Sequence, residues 1–165
     1  MSGILTGILR NIHFKENFSM KVNLRITVRD LDGNVTETFE THNSQTYAGK
    51  NFLRDLLGNI QTVGIQQFAW GTSNTTPTLS DTQLNAEAGR KPVTAFLQNS
   101  TGIIDVRTLM LGLDGVGTNM QEFGLFGGTA ATGSTNTGIL VAHALWSHTK
   151  LITESIQFDW SVTIS

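Results

Sequence analysis

An antiparallel two-layer β-sandwich with one three-turn helix and an N-terminal arm is the fold this sequence predicts, and three observations predict it. Residues 20–28, MKVNLRITV, alternate apolar and polar without error, and so do residues 156–164 near the C-terminus; each run reads as a strand with one buried face. Further short apolar runs are separated by turn clusters, the spacing of a mainly β domain. A single segment, SQTYAGKNFLRDLLGN, keeps helical spacing for about three turns.

Taken in order, the first strand puts Met20, Val22, Leu24, Ile26 and Val28 on one face. It runs into DLDGNV, where Asp32-Gly33 predicts a two-residue hairpin turn, and VTETFET returns with Phe39 opposite Ile26. Thr46 or Ser44 is the expected N-cap of the helix, Leu53, Leu56 and Leu57 share one side, and Gly58 is the stop. IQQFAW reads as a short strand. After it, Ser80 to Gln83 has the form of a capping box, which predicts a short helix beginning near Asp81. VTAFLQ and IIDVRTLML form a second hairpin around NSTG. A Gly- and Thr-rich stretch then reads as two loops around a short strand at Phe123–Phe126, before the last two strands, ILVAHALW and SIQFDWSVTIS.

The N-terminus differs from the rest. Ile4, Leu5, Ile8, Leu9 and Ile12 repeat with helical spacing, yet Gly7 and the short length make an isolated helix marginal. Two readings stay open, a segment packed on its own domain and an arm that docks on a neighbouring subunit. The division that follows is an assembly arm over residues 1–18 and a single β-sandwich domain over residues 19–165.

Composition narrows the function classes. Charged residues make up 15% of the 165-residue chain, against about 25% in soluble domains generally, so much of the surface is neutral and polar. A net charge of -2 argues against a nucleic-acid partner, which calls for a basic face. Without cysteine, thiol catalysis, disulfides and thiolate metal sites are excluded together. No apolar run approaches the roughly 20 residues of a membrane helix, and the first residues lack the continuous apolar core of a signal peptide. Four N-x-S/T sequons, at Asn17, Asn34, Asn74 and Asn99, are what a chain rich in Asn and Thr produces by chance.

A search for chemistry yields little. The four histidines, His13, His42, His143 and His148, form no metal-ligand pattern; His143 and His148 fall on opposite faces of an extended chain, and His42 reads as a loop residue. Neither GLDGVG nor GGTAATGSTNTG has the form of a phosphate-binding loop. Asp30 and Asp32 beside Gly33 are explained by a hairpin, since the remaining ligands of a calcium loop are missing. Trp160 falls in the apolar register of its strand, whereas Trp70 and Trp146 stand at strand ends where an indole face can take a sugar ring. The expectation is a protein that is not an enzyme and needs no cofactor.

The segment FAWGTSNTTPTLSDTQLNAE offers hydroxyls and amides but no base, nucleophile or ligand set. Its Gly71-Thr72, the polar loop with Pro77, and the run Asp81, Thr82, Leu84 and Glu87 resemble a pattern in small structural proteins of tailed bacteriophages. THNSQTYAGKNFLRDLLGN resembles that pattern's Asn-x-x-Thr-x-x-Gly helix entry, QEFGLFGG its Glu-x-Gly-Leu-Phe segment, and GILVAHALW, Lys150 and SIQFDWSVTI follow in the same order. The resemblance covers roughly residues 40–165. It implies a noncatalytic virion component made in the host cytoplasm, most simply a capsid decoration or cement protein on the outer head surface. The implied partners are the major capsid protein or another virion protein and further copies of itself, taken as a trimer, with no nucleic acid or membrane. The loop becomes architectural in this reading: Gly71 permits a sharp exit, Pro77 stiffens the crossing and Asp81 favours a helix N-terminus. A tail, neck or baseplate component, including a host-recognition domain, is the alternative, and a carbohydrate-binding module resting on Trp70 and Trp146 is the second.

Overall fold

Two five-stranded antiparallel sheets pack face to face in the computed structural model, which describes residues 20–42 and 44–164. The sandwich is therefore as expected, while the arm over residues 1–18, with Ile4, Leu5, Ile8, Leu9 and Ile12, lies outside the described residues. The elements are β1 (Met20–Arg29), β2 (Val35–His42), β3 (Ser44–Gln45), α1 (Tyr47–Leu57), β4 (Ile65–Gly71), β5 (Glu87–Pro92), β6 (Ala95–Ser100), β7 (Ile103–Met110), β8 (Asn119–Gly127), β9 (Ile139–Thr149) and β10 (Ser155–Ile164). The first sheet runs β2-β1-β10-β7-β6 and the second β3-β9-β8-β4-β5.

The two perfectly alternating runs are neighbours. β1 and β10 pair along their whole length, from Met20 opposite Ile164 to Arg29 opposite Ser155, and this places both apolar registers on the inner face. Across the interior, Phe158 of β10 meets Phe68 of β4 at 4.5 Å between ring centroids and Phe123 of β8 at 5.0 Å. Offset aromatic pairs of this kind add to the burial of large side chains that drives the sheets together.

α1 closes one side. Thr46 is its N-cap: the hydroxyl accepts from the Gly49 N–H at 2.9 Å and donates to the Leu140 carbonyl at 2.5 Å, so one side chain both starts the helix and fastens it to β9. A Cβ on Gly49 would collide with the Val141 backbone, so glycine permits the close approach of helix and strand. Gly58 is the C-cap, as the sequence predicts.

Three local expectations change. The first hairpin has a three-residue loop rather than a two-residue one: Gly33 N–H bonds the Asp30 carbonyl, Leu31 and Asp32 keep negative φ, and only Gly33 is left-handed, at φ 84°. Ile26 still faces Phe39, because an irregularity after Val28 sets Arg29 opposite Val35 and leaves Thr36 as the extra residue. His42 ends β2 rather than lying in a loop, with its Nδ1 2.8 Å from Asn23 Oδ1. β8 covers nine residues rather than the four of its apolar island.

Replacing Gly33 by Val forces a β-branched residue into the left-handed region. Thermal unfolding is expected to show a loss of about 1–2 kcal/mol; an unchanged melting curve contradicts the turn.

Candidate functional site

The outer face of the second sheet is covered by loops, and the long connection from Thr72 to Ala86 is the first of them. Phe68 and Trp70 point into the main core, whereas Ala69 between them joins Leu84, Phe126, Ala131 and Leu140 in a second, smaller core outside the sheet. Leu84 is the loop's own contribution to that core and is fully buried. At its base the loop is closed by the Thr72 N–H bonding the Ala86 carbonyl at 3.0 Å.

A buried polar chain holds the loop down. Glu122, on β8, takes the Asn85 and Ala86 N–H groups at 2.9 and 2.6 Å, and its Oε2 lies 3.1 Å from His143 Nε2. The other ring nitrogen of His143 lies 2.8 Å from Asp81 Oδ2, and Asp81 in turn accepts from the Thr78 N–H and hydroxyl at 2.9 and 2.5 Å. Neither the His143 nor the Glu122 side chain reaches solvent.

The predicted helix at Asp81 is absent as a result, and the segment is a series of turns. The Asp81 carboxylate is committed to Thr78 and His143, and the N–H groups of Asn85 and Ala86 are committed to Glu122 instead of to helical carbonyls. Gly71 also acts differently from the expectation of a sharp exit. A Cβ there would strike the Glu122 carboxylate and the Ala86 carbonyl, so glycine makes room for the clamp. Pro77 is half-buried, and Thr72 and Thr82 are exposed.

Glu87 belongs to a second clamp. Its carboxylate accepts from Arg90 Nε at 2.5 Å and Nη2 at 2.7 Å, with both side chains buried. Arg90 Nη1 donates to the Thr132 and Thr137 carbonyls, the Asn136 N–H reaches Glu87, and the guanidinium lies 4.5 Å from the Phe126 ring centroid. The Gly- and Thr-rich stretch after β8 is thereby pinned over the same outer face.

Both ring nitrogens of His143 are engaged and sealed from water, an arrangement suited to holding backbone in place. Among the described residues no group of three His, Asp or Glu side chains is placed to hold a metal ion. Trp70 and Trp146 are each only 7% exposed and belong to the main core, so neither presents a sugar-stacking face; Trp160 is fully buried, as its register implies. Trp146 stacks on His148 at 4.7 Å and donates to Glu37. His143 and His148 do lie on opposite faces of β9. His13 lies outside the described residues.

Sequence reasoning missed a surface. The loops β1–β2, β7–β8 and β9–β10 meet at one end of the sandwich, as the pairings Arg29 with Ser155 and Ile156 with Met110 require. They expose six aliphatic side chains there: Leu31 at 78%, Leu113 at 83%, and Leu111, Val116, Leu151 and Ile152. These loops are braced from within. Lys91 pairs with Asp114 at 2.5 Å while the Leu111 N–H bonds the same carboxylate, and buried Lys150 donates to the Leu151 and Glu154 carbonyls. Burial holds the Lys150 ammonium below its ordinary pKa despite Glu154 and Asp114. The available signal was an apolar residue inside each turn cluster, as in DLDG, LGLDGVG and KLITE.

No protein-family model, curated protein or solved structure matches the chain.

The clamp makes stability depend on acid. Burial pushes the Glu122 and Asp81 carboxyls up, but the hydrogen bonds from His143, Asn85 and Ala86 to the first, and from Thr78 and His143 to the second, outweigh it and leave both below their ordinary values. The unfolded chain then binds more protons in the acid range, so the stabilisation is complete above about pH 4.5 and is lost as pH falls through the lowered folded values. Melting temperature is expected to drop below that pH, and Glu122→Gln, less stable at neutral pH, is expected to show a shallower acid decline. An unchanged acid slope in the variant removes Glu122 from the effect.

Proposed function

We propose that this protein is a noncatalytic structural component of a tailed-bacteriophage virion, a capsid decoration protein that attaches to the outer head surface as a homo-oligomer. The observation that carries the reading is the loop end of the sandwich: six exposed aliphatic side chains on three internally braced loops. Contiguous exposed apolar surface rimmed by polar residues marks protein–protein contact, and rigid loops lose little entropy on docking. Low charge favours such a contact over a nucleic-acid one.

The motif positions support the same reading from another side. Gly71, Asp81, Leu84 and Glu87 all serve to fasten loops over the outer face of one sheet, together with Glu122 of the Glu-x-Gly-Leu-Phe segment. Their recurrence in order is then a requirement of architecture. A tail, neck or baseplate position uses the same surface and remains the second reading. The carbohydrate-binding reading loses its basis with the burial of Trp70 and Trp146.

The double variant Leu113→Asp with Ile152→Asp is expected to melt within about 0.5 kcal/mol of the parent, since both side chains are exposed, and to lose co-sedimentation with phage particles. Retained binding refutes the surface assignment. A map of the intact virion decides the position, with many equivalent head sites for decoration and a few axial copies for the tail.

A further inference from the structure

The two sheets differ on their outer faces. The second is covered by clamped loops, whereas the first stays open among the described residues: Arg25 and Glu40, at its middle, are 61% and 70% exposed. Strand register arranges this open face in rows. One row reads Glu40, Arg25, Asp159, Arg107 from β2 through β1 and β10 to β7, so charge alternates in sign from strand to strand. The row beside it reads His42, Asn23, Ser161, Asp105. Within one chain the two arginines are only partly used. Arg107 Nε donates to Asp159 at 2.6 Å and Arg25 Nε lies 3.5 Å from Glu40, while the Nη nitrogens of both have no acceptor at hydrogen-bond distance among the described residues. Where these rows cross β2 and β1 there is a hollow of about 370 Å³, walled in part by Asn23, Arg25, Glu40 and His42.

We infer that this face is a self-association surface and that its occupant is a second copy of the chain, related by a two-fold axis parallel to the strands between β1 and β10. Such an axis lays β2 over the second copy's β7 and β1 over its β10. Because the charged row alternates over four strands, reversing it sets every charge over its opposite: Glu40 over Arg107 of the second copy and Arg25 over its Asp159, each contact made twice. The neighbouring row matches as well, with His42 over Asp105 and Asn23 over Ser161. The unused Nη donors then face carboxylates, and the hollow beside Glu40 lies where Arg107 of the second copy enters. A two-fold axis along the charged row sets Glu40 over Glu40 and Arg25 over Arg25, so like charges oppose that arrangement. Facing sheets lie about 10 Å apart, a gap that arginine and glutamate side chains bridge. Four strands about 4.8 Å apart give two copies a shared burial of roughly 1,200 Å², the lower end of the range for stable interfaces. The inference takes the homo-oligomer from the proposed function, makes it a dimer in place of the trimer that the resemblance implies, and does not involve the loop end.

Two charge reversals in the full-length protein test the surface. Glu40→Arg and Arg107→Glu each set like charges against each other in a dimer of identical copies, and each is expected to weaken self-association roughly tenfold or more in sedimentation equilibrium. Mixed in equal amounts, the two variant chains face each other with every pair in the charged row opposite in sign, and a heterodimer of about parental affinity is expected. Mutual rescue between separate chains distinguishes a contact across the interface from a change within the fold, and circular dichroism checks that each variant is folded. A parent chain that stays monomeric at about 1 mM, reversals that leave self-association unchanged, or folded variants that fail to pair each overturns the inference. Should Arg107→Glu fail to fold without its bond to Asp159, Glu40→Arg alone decides, by whether the dimer weakens. The double variant Leu113→Asp with Ile152→Asp is expected to stay dimeric; a monomer means that self-association runs through the loop end and also overturns the inference. No phage particle enters these measurements, so their failure leaves the docking surface to its own test.

Discussion

A carboxylate buried in a β-sheet must be given donors or it destabilises the sheet, and at Glu122 that requirement organises the whole outer face of the second sheet. Two of its donors are backbone N–H groups at the end of a fifteen-residue loop, and a third contact is His143, which passes the connection to Asp81 at the middle of the same loop. The loop can lie in only one place if all these groups are satisfied. Once it is there, Leu84 covers Ala69 and Phe126, and a face that the sheet would otherwise leave to solvent acquires a core of its own. The charge also fixes the neighbouring backbone, because the carboxylate needs space that only a glycine at position 71 leaves.

The Glu87–Arg90 pair repeats the principle on the adjoining edge. A buried ion pair is weak evidence for stability by itself, because desolvation offsets much of the attraction. Here the remaining donors and acceptors are occupied by the carbonyls of Thr132 and Thr137 and the N–H of Asn136, so the pair fixes the path of a loop that has almost no apolar side chains to hold it. Polar specificity substitutes for hydrophobic burial where the sequence is Gly and Thr. The inner core needs no such device, since Phe68, Phe123 and Phe158 pack it by apolar burial and offset ring contacts.

What could be read from the sequence follows from the range of the interactions. The strands β1 and β10, the first hairpin and the α1 cap are legible because alternation, a turn glycine and a capping threonine act over a few residues, whereas the pairing of β1 with β10 joins the two ends of the domain and is not. β5 is not, because EAGRKP is a polar edge strand whose place is set by β4 on one side and by Arg90 reaching Thr137, 47 residues away. The capping-box signal at Ser80 was real as a local preference and lost to partners at positions 122 and 143. The exposed loop surface was hidden for a different reason. A leucine in a turn carries no periodicity, and only the sheet pairing brings Leu31, Leu113 and Ile152 to the same end.

The placement of charge ties these levels together. Of a small charged complement, Glu87, Arg90, Glu122 and Lys150 have been drawn inside to satisfy loops, and Asp81, Lys91 and Asp114 are half spent on the same task. The exterior is thereby left more neutral than the composition alone implies. Docking that relies on such a surface gains little from long-range steering and varies little with salt, so its selectivity must come from shape. Shape is what the internal polar contacts supply, by tying the β7–β8 and β9–β10 loops at one end and the loops over the outer sheet face to the strands beneath them. The same economy that makes the sequence look featureless to a search for chemistry is what ties its polar loops to the sheets.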